Sequence, residues 1–219
     1  MNVANSKGCG KTNYHFVGIA GSGMSALAQL VRSKGHEVSG SDRSFDRLEQ
    51  PTLRGALQSL GIAILPQDGS GITQQTNEVV FSTAVEQANP DLARAACFGI
   101  PLIRRAKLLA EMFDQRLGIA IAGTSGKSTV AAMIATILSA LGMDPTYYGG
   151  ASLIGEGVIP CLANALSGKG KFFCAETDES DGSLLEFHPK IAVLTNITKD
   201  HKSTDELCDL FRRFIRQTT

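Results

Sequence analysis

The sequence has no surplus of charge of either sign. Its 21 Lys and Arg residues match 21 Asp and Glu residues, so the formal net charge is zero. Proteins that bind nucleic acid or anionic membranes usually carry a basic surplus, which is missing here. Glycine, serine or charged residues also interrupt every apolar stretch before it reaches the ~18 residues of a membrane span. We therefore expect neither nucleic acid nor a membrane as a partner.

The sequence also lacks the cysteine pattern of a disulfide-bonded exported protein or of a metal site with cysteine ligands. Its five cysteines are odd in number and include no Cys-x-x-Cys pair. Residues 1–13 are polar and have no apolar signal-peptide core, so they are predicted to be a flexible leader. Gly8–Thr12 superficially looks like a phosphate loop, but no strand precedes it and no helical pattern follows. Because the cysteines form no such pattern and no signal peptide is present, we expect reduced thiols in a cytoplasmic protein.

Glycine, by contrast, is abundant, with 23 residues, and 43% of the chain is apolar, a composition typical of α/β proteins. Short apolar strands alternate with helical patterns, which predicts a parallel sheet with helices on both faces. The predicted strands are His15–Ile19, Glu37–Gly40, Ile62–Leu65, Val79–Phe81, Pro101–Ile103, Leu117–Ala122, Lys171–Ala175 and Ile191–Thr195. We predict two domains, residues 14–114 and 115–219, with a hinge at Asp114–Arg116.

Helix ends are marked by residues with known capping preferences. Glycines 35, 61, 99 and 142 stand where predicted helices would stop. Asn89 and Pro90 have the residue types of an N-cap and a first helical position. Ser203 and Glu206 have the spacing of a capping box ahead of an amphipathic helix. The glycine-rich stretch Gly149–Gly157 has no predicted structure.

The most informative segment is Leu117–Leu138, an apolar strand, a glycine loop and a helix. A helix N-terminus after such a loop offers free N–H groups and a favourable dipole to a phosphate. Lys127 is expected to reach the terminal phosphates, and Ser128 to ligate Mg²⁺. Position 121 is Ile where the common Walker loop has glycine. The segment predicts a nucleoside triphosphate site, the alternative being an ordinary strand-to-helix connection.

Another glycine loop, the first along the chain, lies between His15 and Leu27, with glycines at 18, 21 and 23. Asp42 follows Gly21 by 21 positions, the place of a ribose-binding carboxylate in dinucleotide folds. Alone, this pattern is compatible with an NAD-dependent oxidoreductase. The glycine spacing departs from G-x-G-x-x-G, however, and that function leaves the Lys127 loop unexplained.

Four carboxylates, at positions 176, 178, 179 and 181, follow the predicted strand Lys171–Ala175. Such a cluster repels itself unless a cation or a substrate amine offsets it. Mg²⁺ is the natural counter-ion beside a triphosphate loop, because it prefers oxygen ligands. A solvated acidic turn is the alternative.

The loop G-T-S-G-K-S-T, Gly123–Thr129, resembles the ATP loop of the Mur ligase and folylpolyglutamate synthetase superfamily. Those enzymes join an amine to a carboxylate through an acyl phosphate. The segments HFVGIAGSGMSALAQL, HEVSGSD, FSTAVEQANPDLARA and GIPLIRRAKLLAEM also occur in the order found in Mur ligases. Within the family, the UDP-N-acetylmuramate–L-alanine ligases and the related murein peptide ligases are most similar. The resemblance runs from His15 to about Phe214.

The resemblance implies a Rossmann-like parallel-sheet domain that binds the UDP of UDP-N-acetylmuramate, followed by a partial P-loop-type α/β domain that binds ATP. Residues implied at the diphosphate are Gly21, Ser22, Gly23, Met24 and Ser25. Asp42 is implied near the uridine, Ser82 and Thr83 near the nucleotide, and Arg105 at the anionic part of the substrate. A solvated strand end is the alternative for Ser82 and Thr83.

The same resemblance implies residues for ATP, Mg²⁺ and catalysis. The residues implied at ATP are Gly123, Thr124, Ser125, Gly126, Lys127, Ser128, Thr129 and Asn196. Ser128, Glu176 and His201 are implied as Mg²⁺ ligands, and Lys127, Glu176 and His201 as catalytic residues. His201 belongs to the family motif T-N-I-x-x-D-H, whereas His15, His36 and His188 have no such context.

Departures from the family pattern leave the acceptor open between L-alanine and a tripeptide. Ser125 stands where the family usually has His, Ser128 where it has Thr, and Lys202-Ser203 where an apolar-acidic pair is commoner. Family members also continue for roughly as many residues again. We therefore expect an amino-terminal portion that does not turn over alone, and a non-catalytic nucleotide-binding module is a further alternative. The oligomeric state is left open.

Overall fold

The computed structural model describes residues 11–154, 159–198 and 203–219, and these carry two five-stranded sheets. The strands of the first sheet are β1 (Asn13–Val17), β2 (Glu37–Ser41), β3 (Ala63–Leu65), β4 (Glu78–Phe81) and β5 (Leu102–Arg104). All neighbours are parallel, in the order β3-β2-β1-β4-β5. The strand order reverses between β1 and β4, and ligands of such sheets bind at the carboxyl ends beside that point.

The helices of this first part follow the predicted alternation. They are α1 (Ser22–Ser33), α2 (Arg43–Asp46), α3 (Pro51–Ser59), α4 (Pro90–Phe98) and α5 (Arg105–Phe113). The predicted cap of α4 is confirmed, because the Asn89 side chain accepts from the N–H groups of Asp91 and Leu92. Gly99 ends that helix at φ +66°, in the left-handed region that glycine adopts readily. The short α2 was not predicted.

The second sheet is mixed. Its strands are β6 (Leu117–Ala122), β7 (Thr146–Tyr148), β8 (Ala165–Leu166), β9 (Phe172–Glu176) and β10 (Ile191–Leu194), in the order β10-β6-β9-β7-β8. Only β7 and β8 pair antiparallel. The two helices are α6 (Lys127–Ala140) and α7 (Thr204–Arg216), and the predicted capping box of Ser203 and Glu206 precedes α7. The two-residue β8 and three-residue β7 are too short for a periodicity to predict them.

Helices α1 and α5 pack against both sheets. The largest core cluster includes Phe16 of the first sheet, Leu27 of α1 and Phe173 of the second sheet. Phe113 of α5 joins them, with its ring centroid 5.5 Å from that of Phe173 and 5.3 Å from that of Phe187. Two smaller clusters lie on the outer faces, one beneath α4 and one beneath α6. The two sheets are therefore joined by one hydrophobic core.

Two details differ from the sequence expectations. Strand β1 begins two residues earlier than predicted, because Asn13 pairs with Asn77 through backbone and side-chain hydrogen bonds, and Gly18 then ends the strand at φ +78°. In the sequence of α6, Val130, Met133, Ile134, Ile137 and Leu141 recur at helical spacing, but the helix buries Ala131 and Ala135 and leaves Met133 and Ile137 more than half exposed. In a helix that is apolar all round, such spacing does not identify the buried face.

Some sequence expectations concern residues outside the described parts of the chain. These include residues 1–10 of the leader, residues 155–157 of the glycine-rich stretch, and His201. Within the described part, none of the helices combines the length and the apolar character that a membrane crossing requires. The described cysteines, Cys97, Cys161, Cys174 and Cys208, are free thiols. Burial raises the pKa of the Cys174 thiol to about 12, which keeps it protonated.

Candidate functional site

The first glycine loop connects β1 to α1 and is held against the end of β2. The Ser41 carbonyl accepts from the N–H groups of Gly18 and Ile19, at 2.9 and 3.0 Å. The Asp42 carboxylate accepts from the Ala20 N–H at 2.9 Å and also from the Ser44 N–H, which caps α2. The N-terminus of α1 has no side-chain cap in the described structure. Its first turn therefore offers N–H groups to an anion.

A cavity of about 390 Å³ opens in front of this loop. It brings together seven of the residues implied at the UDP substrate: Gly21, Ser22, Gly23, Met24, Asp42, Ser82 and Arg105. Thr83 lies instead with Ser82 and Arg105 on a smaller neighbouring cavity. Ser25 is also placed differently, because its N–H donates to the Gly21 carbonyl and its hydroxyl to the Ser22 carbonyl. Both hydrogen-bond donors of Ser25 are therefore used within the first turns of α1.

The second glycine loop connects β6 to α6, as predicted. Gly123 and Gly126 have φ of +129° and +79°, a region that other residues rarely adopt. A Cβ on Gly123 would also lie 2.1 Å from the Thr195 hydroxyl. Both the backbone angle and the lack of space therefore require glycine at this position. Lys127 begins α6 and folds back, with its ammonium 2.7 Å from the Gly123 carbonyl and 2.9 Å from a carboxylate oxygen of Glu179.

Asn196 organises this loop from the end of β10. Its amide oxygen accepts from the Thr124 hydroxyl at 2.6 Å and from the Ser125 N–H at 3.2 Å, and its amide nitrogen donates to the Ser125 carbonyl at 3.0 Å. Asn196 was implied as an ATP-binding residue. Its contacts here are with Thr124 and Ser125, which indicates that it shapes the loop.

Ser128 and Glu176 form the pair of oxygens expected to hold Mg²⁺. The Ser128 hydroxyl donates to a Glu176 carboxylate oxygen at 2.8 Å, and the Gly150 N–H donates to the same oxygen at 2.8 Å. A Cβ on Gly150 would lie 2.9 Å from the Ser128 Oγ, so the absence of a side chain leaves this space open. A hydroxyl and a carboxylate oxygen side by side suit a hard cation that takes further oxygens from phosphate and water.

The acidic cluster does not form one metal site in the described structure. Among the described residues, no three His, Cys, Asp or Glu side chains come together to hold a metal by themselves. Glu179 pairs with Lys127, while Asp178 and Asp181 accept from the N–H groups of Ser180 and Ser183. Burial raises the pKa of Asp178, but the Ser180 hydrogen bonds and the charges of Lys127 and Arg105 outweigh it and leave that pKa lowered. The residues fit Mg²⁺ through Ser128 and Glu176, while His201 lies outside the described residues.

Both glycine loops open onto one central cavity of about 260 Å³. Ser22, Gly23 and Arg105 line it from the first loop and α5, and Lys127 and Glu176 line it from the second loop and β9. Tyr148, Gly149 and Gly150 also line this cavity, although the sequence did not predict it. The one feature that could have indicated it is the pair Gly149-Gly150, which begins the glycine-rich stretch with no predicted structure.

Fold and site together define an α/β protein with a Rossmann-like parallel sheet followed by a partial P-loop-type sheet. The first sheet presents a glycine loop at the carboxyl end of its central strand, β1, and the second sheet presents one at the carboxyl end of β6, which lies between β10 and β9. The chain belongs to the Mur ligase family. The pattern described as "Mur ligase family, catalytic domain" matches residues 13–117, and that described as "Mur ligase middle domain" matches residues 121–206.

Individual relatives agree with this assignment. The chain is 44% identical over 190 residues to a UDP-N-acetylmuramate–L-alanine ligase of Burkholderia ambifaria, covering 87% of this chain and 39% of that protein. It superimposes on a UDP-N-acetylmuramate–alanine ligase of Thermotoga maritima with a TM-score of 0.81 at 30% identity, covering 94% of this chain and 47% of the other. It superimposes on a murein peptide ligase of Psychrobacter arcticus with a TM-score of 0.82 at 25% identity, covering 95% of this chain and 47% of the other. The chain thus spans about two fifths of its relatives' length.

Proposed function

We propose that this chain carries the UDP-sugar-binding and ATP-binding loops of a peptidoglycan-precursor ligase, one that adds L-alanine to UDP-N-acetylmuramate. The observation that supports it best is the central cavity, onto which both loops open. An enzyme that phosphorylates a UDP-linked carboxylate must bring two phosphorylated ligands together at such a place. The names of the relatives support the choice of substrate.

In this proposal each loop takes one ligand. The UDP diphosphate lies on the first turn of α1, and Arg105 faces the anionic part of the same substrate. ATP lies on Gly123–Thr129, where Lys127 exchanges Glu179 for the terminal phosphates. Mg²⁺, held by Ser128 and Glu176, would offset the charge on those phosphates. The domain boundary near Asp114 belongs to the same proposal, since it separates the two loops.

The proposed reaction has two steps, and the residues act by positioning and by neutralising charge. A carboxylate oxygen of UDP-N-acetylmuramate attacks the γ-phosphorus of ATP, which forms an acyl phosphate and releases ADP. The amine of the acceptor then attacks the acyl carbon, loses a proton, and displaces phosphate. Lys127 and Arg105 both line the central cavity, so in this proposal Lys127 holds the phosphates and Arg105 holds the anionic part of the UDP substrate.

A murein peptide ligase, which would join a tripeptide to the same carboxylate, is a second candidate. The structural similarity to the Psychrobacter arcticus protein favours it. The two candidates share the UDP substrate, ATP and the acyl phosphate, so the loops described above serve both. We place either reaction in the cytoplasm, consistent with the free thiols of the described cysteines.

Calorimetry on this chain with UDP-N-acetylmuramate and with Mg·ATP tests the proposal. Lys127→Ala should weaken Mg·ATP binding at least about tenfold, because a cation at the phosphates is lost, and should leave UDP-N-acetylmuramate binding unchanged. Gly23→Val should do the converse, because a Cβ there would lie 2.3 Å from the Arg105 guanidinium. Lys169→Ala, at an exposed lysine, is the matched charge control. If the two variants affected the opposite ligands, the assignment of the loops would be wrong.

A further inference from the structure

Two side chains of the second part of the chain, Tyr148 on β7 and Asn164 just before β8, reach across to the first glycine loop. The Asn164 amide nitrogen donates to the Ser22 carbonyl at 2.6 Å, and the Tyr148 hydroxyl donates to the Gly23 carbonyl at 3.3 Å. Both side chains are buried, with 9% and 7% of their residue surfaces exposed. Gln29 of α1 in turn donates to the Asn164 amide oxygen at 3.3 Å. These contacts join the second sheet to the start of α1.

The contacted carbonyls belong to the first turn of α1, and Ser22, Gly23 and Met24 of that turn line the cavity of about 390 Å³ in front of the first glycine loop. In a helix the carbonyl and N–H groups point in opposite directions along the axis, so a hold on the carbonyls fixes the direction of the N–H groups. The N-cap residue Gly21 has no side chain that could do this from within the loop. Gly23 lets its neighbours approach, because a Cβ there would lie 2.8 Å from the Tyr148 hydroxyl.

The same segment also contacts the ATP loop. Tyr148 is followed by Gly149 and Gly150, and the Gly150 N–H donates to the Glu176 oxygen that accepts from Ser128. Three consecutive residues therefore link the Gly23 carbonyl to the Ser128–Glu176 pair. A cation or phosphate that moves Glu176 must alter the hydrogen bond of Gly150, and with it the chain next to Tyr148.

We propose that Tyr148 and Asn164 are positioning residues that couple the two loops, so that Mg·ATP and UDP-N-acetylmuramate raise each other's affinity. The assignment of the ligands rests on the proposed function, while the hold on the first loop does not. Coupling between two binding sites is reciprocal, so it can be measured from either ligand. Loss of the Tyr148 hydroxyl should remove the coupling without removing either loop.

The test compares Tyr148→Phe with Tyr147→Phe. Tyr147 precedes Tyr148 on β7, is fully buried, and donates its hydroxyl to the Ala151 carbonyl within the second part of the chain. Each variant therefore loses one buried hydroxyl, but only Tyr148→Phe loses a contact between the sheets. Calorimetry gives the affinity for UDP-N-acetylmuramate with and without saturating Mg·ATP. We expect Mg·ATP to raise it about fivefold or more in the wild-type chain and in Tyr147→Phe, and by less than about twofold in Tyr148→Phe.

A second readout needs no ligand. Amide hydrogen exchange in residues 18–25 should be faster in Tyr148→Phe and in Asn164→Ala than in Tyr147→Phe, because the carbonyls that orient the first turn are released. Equal exchange in all variants, or an undiminished effect of Mg·ATP in Tyr148→Phe, would overturn the coupling. If the wild-type chain bound neither ligand, the proposed function would fail, and the exchange experiment would still decide whether these residues hold the loop.

Discussion

Asp91 is a fully buried carboxylate that contacts Ser41, the last residue of β2. One of its oxygens accepts from the Ser41 hydroxyl, and the other accepts from the Gly69 N–H at 2.8 Å. The His15 Nε2 lies 3.5 Å from the first oxygen, too far for a good hydrogen bond. Ser41 is also the residue whose carbonyl holds the first glycine loop. Asp91 therefore ties together β1, β2, α4 and the segment after β3.

Asp91→Asn should destabilise the chain in a pH-dependent way. Burial raises the pKa of Asp91, but the polar contacts from His15 and Ser41, the charge of His15 and the Gly69 N–H outweigh it and leave the pKa lowered. A lowered folded-state pKa adds stability above the unfolded value of about 3.9, and this is lost as the pH falls through the folded value. We expect a loss of about 1–3 kcal/mol in the free energy of unfolding at pH 7.

Urea unfolding at several pH values checks this expectation. The difference between wild type and Asp91→Asn should shrink as the pH falls below about 4, because the carboxyl then takes up a proton in the unfolded chain before it does so in the folded one. Asp209→Asn, which removes an exposed ion pair with Arg212, should change stability by less than about 0.5 kcal/mol. A difference that stayed constant down to pH 3 would show that the charge of Asp91 has no part in the effect.

At the residue scale, the sequence could predict groups whose roles depend on close neighbours in the chain. Lys127 and Ser128 stand at the start of a helix after a glycine loop, and that local pattern places them. Tyr148 and Asp91 could not be found this way. Their partners, Gly23 and His15, are 125 and 76 positions away, and only the packing of the sheets brings them together.

At the scale of elements, the ends of helices were predictable and their faces were not always so. Glycines 35, 61, 99 and 142 all have positive φ and follow α1, α3, α4 and α6, as expected from local capping preferences. The buried face of α6 is set by the two alanines that let it lie close to the second sheet. Nothing local distinguishes those alanines from the larger apolar residues around them.

Two glycine-to-alanine changes should have opposite effects on stability. A Cβ on Gly118 of β6 would lie 2.2 Å from the Phe113 ring, which packs against Phe173 and Phe187, so Gly118→Ala should cost about 1–3 kcal/mol. Gly55 lies inside α3 with no atom near its Cβ position, so Gly55→Ala should add about 0.5–1 kcal/mol. Both are measured by urea unfolding. A Gly118→Ala chain as stable as wild type would mean that the ring does not pack as described.

At the scale of the whole molecule, the sequence predicted two α/β units, two glycine loops and the family. It could not predict how the units face each other. That arrangement follows from the shared core, in which α1 and α5 pack between the sheets, and from the Phe113 ring on the second sheet. The result is that Arg105 and Lys127 line one cavity, although 21 positions of intervening sequence carry no sign of it.

A crystal structure of this chain with UDP-N-acetylmuramate and a non-hydrolysable Mg·ATP analogue would show whether the two ligands meet in the central cavity. We expect the UDP diphosphate on the first turn of α1 and the triphosphate on Gly123–Thr129. The muramoyl carboxylate should face the γ-phosphate in the central cavity, and Lys127 should have left Glu179 for the phosphates. A triphosphate on the first loop, or two ligands bound on separate faces of the molecule, would contradict this expectation.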